Sequence, residues 1–137
     1  MSALFFFLAC FSSSPNVSQK HPVRVIFDTD MDTDCDDAGA LALLHALVNR
    51  KEALLLATMV SSRYPWSVPC VAAINKYYGR EDIPIACVKG KGASAKRGSR
   101  YAKRIALQFP TRYKTNSDAP DAVSPVSYTH LTLPTKA

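Results

Sequence analysis

No pair of cysteines stands at C-x-x-C spacing, and no histidines follow at the intervals of a zinc finger: the four cysteines fall at 10, 35, 70 and 87. That pattern excludes the common structural zinc folds. Long apolar runs are missing too. The longest, MSALFFFLACF at the start, is far below the length of a membrane span. The chain has no internal repeat. Its formal charge of +6 comes without the aromatic-interleaved or glycine-patterned motifs of nucleic-acid binders, so Lys89, Lys91, Lys96, Arg97, Arg100, Lys103 and Arg104 read as a solvated helix and loop. Acidic residues are scarce, at 11 in 137, and their placement is therefore informative.

A chain of 137 residues that is 47% apolar suffices for one domain with a core, and not for two. Residues 1–14 read as a secretory h-region followed by serines, and residues 15–22, with two prolines in or beside them, as a linker. Export would make the protein secreted or periplasmic. It would be lipid-anchored if Leu8-Ala9-Cys10 acts as the lipoprotein box it loosely resembles. The run has no Lys or Arg before it, and a mis-assigned start would leave the protein cytoplasmic. Residues 124–137, SPVSYTHLTLPTKA, share no period with what precedes them and resemble a translated cloning adaptor.

Between these ends the periodicity is that of alternating strands and helices. VRVIF from Val23 predicts a buried parallel strand. AGALALLHALV, Ala38 to Val48, is apolar nearly all round and predicts a buried helix. ALLLATMV, residues 53–60, predicts a second strand, and SSRYPWSVP a loop. Cys70 to Tyr78 predicts a second helix closed by Gly79, IPIACV a third strand, and Ser99 to Gln108 an amphipathic helix. This succession specifies a Rossmann-like α/β domain with an open parallel sheet and flanking helices over residues 23–123. Ligands of such sheets bind beyond the carboxyl ends of the strands, which puts the aspartates after the first strand and SSRYPW after the second on one rim.

Asp28, Asp30, Asp32, Asp34, Asp36 and Asp37 place six of the eleven acidic residues within ten positions. Like charges this close repel by about a kcal/mol or more per pair at surface dielectric, and a bound hard cation, Ca2+ or Mg2+, is the expected compensation. An EF-hand fails on spacing. Counted from Asp28, position six is Thr33 and position twelve Gly39, where Gly and Glu are needed.

VIFDTDMDTDCDDAGALALLHAL resembles the signature of the inosine/uridine-preferring nucleoside hydrolases, an apolar strand, D-x-D, a short turn and D-D-A at the head of a helix. The similarity continues through AINKYYGREDIPIACVKG and more loosely to DAPDAV. It implies the fold of that family in truncated form and a Ca2+-dependent enzyme that hydrolyses the N-glycosidic bond of ribonucleosides. It also implies a longer, homo-oligomeric parent, with this piece inactive alone.

Carried over, Asp30 would touch the calcium and take a proton from the attacking water, Asp37 would be the bidentate calcium ligand, and Asp36 would hold the ribose hydroxyls. Asp28 would support them, with Asp32, Asp34 and Trp66 as further candidates. Asp32 stands where the family has glycine. Ser62 falls near the family's ribose-contacting asparagine. Tyr64 and Trp66 are candidates for stacking on a base, His45 reads as structural, and Asp118 and Asp121 could approach the pocket. Two other readings stay open: a magnesium-dependent phosphatase of the haloacid-dehalogenase type, whose D-x-D also follows an apolar strand, and a non-catalytic secreted binding module on the same fold.

Overall fold

The computed structural model describes residues 21–89 and 98–122. The leader, most of the linker, Cys10, Lys91, Lys96, Arg97 and the 124–137 tail lie outside the described residues. Among the described residues no helix is long and apolar enough to cross a membrane.

Strand β1 (Val23–Thr29) is followed by α1 (Asp36–Asn49), β2 (Ala53–Val60), α2 (Ser67–Tyr77), β3 (Ile85–Cys87), α3 (Arg100–Gln108) and a single 3-10 turn at Asn116–Asp118. The three strands are parallel and lie in chain order, β1-β2-β3. Between the partners of Val25 and Ile26 the register slips by one residue, because Leu56 is an extra residue in β2. Helix α1 packs on β2, α2 on β2 and β3, and the two helices touch each other, which puts them on one face of the sheet. The architecture is a small parallel sheet flanked by helices.

The core follows the pattern of the sequence in β2, α1 and α2, whereas β1, predicted as a buried strand, is mostly exposed, Val23 at 66% and Ile26 at 49%. Leu55, Val60, Ile85 and Cys87 of the sheet meet Leu41 and Leu44 of α1 and Val68, Cys70 and Val71 of α2. Helix α1 is less buried than its composition predicts. Leu41, Leu44 and His45 are enclosed, but Leu43 is 62% exposed, because neighbours cover only one side of the helix. Helix α2 begins three residues earlier than predicted, at Ser67, and takes Pro69 into its first turn, where a missing N–H costs nothing. Gly79 ends it at φ +71, a conformation that favours glycine. Ser99 caps α3 by accepting from Tyr101 N–H (3.2 Å).

The candidate acidic cleft

The loop from β1 to α1 is built around Met31. It is fully buried and left-handed, at φ +45, which a residue with a Cβ adopts only when its surroundings enforce it. The enforcement is visible. Met31 N–H donates to Thr29 Oγ1 (3.0 Å) and to Asp37 Oδ2 (2.8 Å), its carbonyl accepts from Ser67 Oγ (3.1 Å), and its sulfur receives the Tyr101 hydroxyl (3.5 Å). The loop is thereby tied to α1, α2 and α3 at once.

The result is an open cleft of about 550 Å³ at the carboxyl end of β1, lined by Asp28, Thr29, Asp30, Thr33, Asp34, Asp36, Asp37 and Ser61. Asp36 and Asp37 stand in the first turn of α1, beside its unpaired backbone N–H groups. Asp30 precedes them in the loop. A side-chain hydrogen bond with Asp37, then loss of water, then the charges of Asp37 and Asp32 push its carboxyl up to about 6, against a smaller opposing pull from the Asp32 N–H. The crowding therefore makes Asp30 an unusually basic carboxyl, which still loses its proton near neutral pH.

That arrangement corrects the expectation of a Ca2+ site. Among the described residues no group of three or more His, Cys, Asp or Glu side chains is placed to hold a metal ion. The reason lies in where the carboxylates turn. Asp32 is 1% exposed and faces inward, with Oδ2 accepting from Ser62 Oγ (3.2 Å) and Oδ1 unpartnered. Asp37 Oδ2 is engaged by the Met31 amide, and its carboxyl is bonded to Asp30. The carboxylates that could converge on an ion are turned to partners within the protein.

Asp28, Asp30, Asp34, Asp36 and Asp37 come together as the sequence pattern suggests, while Ser62 and Trp66 do not join them. Ser62 is buried, holds Asp32, and accepts from Tyr64 N–H (3.0 Å). The hydroxyl on the cleft belongs to Ser61, one residue earlier. Trp66 is half-buried beneath Lys103, whose Nζ lies 5.6 Å from the ring centre. Tyr64 is a packing residue. Its hydroxyl donates to Ser99 O (2.9 Å), and its ring fills the space a Cβ on Gly98 would need. Asp118 caps the 3-10 turn through the amides of Lys114 and Thr115, which hold its carboxyl below the usual range. Asp121 bridges to the end of β3 at Cys87.

Sequence reasoning missed Asn116. Its side chain accepts from Val68 N–H (2.9 Å) and donates to the Ser62 carbonyl (2.9 Å), locking the loop after β2 to the start of α2. The Thr115 cap and Asp118 around it were the only local signal.

Fold and cleft together define a Rossmann-like α/β unit with an acidic rim at the carboxyl end of its first strand. Comparison with protein-family models, with curated proteins and with solved structures finds no match.

Proposed function

We propose that the cleft is the sugar-holding and water-activating side of a nucleoside N-glycosidase, with the fold of the nucleoside hydrolases in truncated form. The observation that carries this reading is the Asp30–Asp37 pair at the mouth of a cleft lined only by carboxyls and hydroxyls. A carboxyl poised near 6 is an effective general base at neutral pH, where it is mostly ionised yet still basic.

In this reading Asp36 and the Ser61 hydroxyl receive the hydroxyls of a ribose, and Asp30 faces the water that attacks the anomeric carbon. Asp30 takes the proton from that water, the new C–O bond forms, and the electrons of the C–N bond leave with the base, which is protonated by solvent. Asp28, Asp34 and Asp37 surround the sugar with negative charge, which favours the oxocarbenium-like transition state. The same charge repels a phosphate ester and weighs against the phosphatase reading.

Titration of the chain with inosine or uridine, followed by amide chemical shifts and by chromatography of released base, tests the proposal. Shifts centred on residues 28–37 and Ser61 with slow base release support it, and Asp30→Asn should remove the release while keeping the shifts. Shifts without release favour a binding module. Absence of both refutes a nucleoside site.

A further inference from the structure

A second cavity, of about 410 Å³, lies at the other end of α2 from the acidic cleft. Ser67, which holds Met31, stands at the start of that helix, and Lys76, in its last turn, lies about 14 Å further along the axis. The walls are α2, the turn that precedes β3 and the segment after α3, and none of their residues lines the cleft. The volume falls within the roughly 300–1,000 Å³ of small-molecule sites and is too small for a folded partner.

Two cations on the wall are already held. Lys76 Nζ donates to Pro110 O (3.3 Å). Arg112 lies over the Tyr113 ring, 4.9 Å from its centre, and donates through Nη2 to the Tyr113 hydroxyl (2.9 Å). Tyr113 is itself buried in the core, and Thr111 closes its turn, with Oγ1 accepting from Tyr113 N–H (3.2 Å). Long side chains fixed in this way lose little further freedom when a ligand arrives, and the guanidinium keeps a fork of N–H groups for a carboxylate. Glu81 and Asp82 border the same cavity from the turn. They do not neutralise the cations, since among the described residues the one ion pair is Arg50–Glu52. Ala72 and Pro110 add apolar surface.

A ligand of one sign would meet repulsion from part of this wall, whereas a ligand of both signs would meet complementary charge on each part. From the tethered Arg112 and Lys76 set around one cavity with Glu81 and Asp82, which form no ion pair with a described residue, we propose a second binding site that takes a small zwitterion, a free α-amino acid with an apolar side chain. Its carboxylate lies on Arg112 and Lys76, its ammonium on Glu81 and Asp82, and its side chain on Ala72 and Pro110.

Amide chemical shifts of the full chain titrated with L-leucine test this, beside L-leucinamide, which lacks the carboxylate, and N-acetyl-L-leucine, which lacks the ammonium. L-leucine should give saturable shifts centred on residues 76–83 and 110–113, and each blocked analogue should bind at least about tenfold more weakly. Arg112→Gln should weaken L-leucine by a similar factor and leave L-leucinamide unchanged. Glu81→Gln combined with Asp82→Asn should weaken L-leucine and leave N-acetyl-L-leucine no weaker. All three side chains are exposed, and circular dichroism verifies the fold of each variant. If a variant fails to fold, comparison of the three ligands on the parent still decides the matter. Absence of saturable shifts with L-leucine overturns the site. N-acetyl-L-leucine binding as tightly as L-leucine shows an anion site only, L-leucinamide binding as tightly shows a cation site only, and either overturns the zwitterion. L-leucine binding that is indifferent to the substitutions lies elsewhere and overturns it too.

Discussion

The two ends of α1 treat ionisable groups in opposite ways. At its amino end Asp30 and Asp37 are crowded at an open cleft, and Asp30 is held near 6 chiefly by its acidic neighbour. In its second half His45 is completely buried. It contacts Asn75 Oδ1 through Nε2 (2.9 Å) and stacks on Tyr78 with ring centres 4.5 Å apart, and Arg80 approaches its Nδ1 (3.4 Å). Burial there lowers its pKa, so it is neutral, with Nε2–H donating to Asn75 and Nδ1 accepting from Arg80. One end spends stability on unfavourable charge; the other removes charge and is packed. The difference separates a cleft built for chemistry from a joint built for cohesion.

The largest test of that contrast is on stability. His45→Ala should cost about 2–4 kcal/mol in chemical denaturation, since it opens a cavity and strands the Asn75 carbonyl. Asp32→Asn should go the other way, by about 1 kcal/mol, because it neutralises a buried carboxyl with one unbonded oxygen and can keep the Ser62 bond. Equal losses at both positions would mean that the cleft is no less optimised than the core.

The pH dependences should then have opposite slopes. Asp30 binds its proton more tightly when folded, so its contribution is present below the ordinary value of 3.8 and is lost as pH rises to about 6. The loss should stay below about 1 kcal/mol, because the group is exposed and screened. His45 binds its proton less tightly when folded, so its contribution is present above the ordinary value of 6.5 and is lost as pH falls below it. Denaturation profiles of Asp37→Ala and His45→Gln should each lose one slope and keep the other. In Asp37→Ala the Asp30 carboxyl, followed by carbon-detected titration, should move down from about 6 toward 3.8. Smallest of all is the effect of calcium or of a chelator. Neither should shift the melting temperature, since no metal-holding group exists among the described residues.

Much of the fold is legible in the sequence alone. The β2 strand lies where its unbroken apolar run places it, and Ser99, Gly79 and the apolar run of α1 mark helix ends and helix identity by local rules. Asp28 to Asp37 could be assigned to a rim because a loop between a parallel strand and the helix that follows it has one place to go. What could not be read were the directions of individual side chains. Ser61 and Ser62 are adjacent, and only the turn after β2 decides that the first faces the cleft and the second the interior. Asn116 reaches Ser62 across 54 positions, a contact with no trace in either local segment.

The sequence by itself determined that this protein is an α/β unit and that its acidic residues collect at one strand end. Hydrophobic period and capping act over a few residues, and the chain carries them openly. Only the tertiary structure decided what the aspartates do there. Met31 is driven into a left-handed turn by contacts from three helices, which brings Asp37 against Asp30 and turns Asp32 inward. A composition that called for a cation was thereby resolved by hydrogen bonds within the loop and a more basic Asp30, because the balance depends on a few ångströms of geometry that no local pattern encodes.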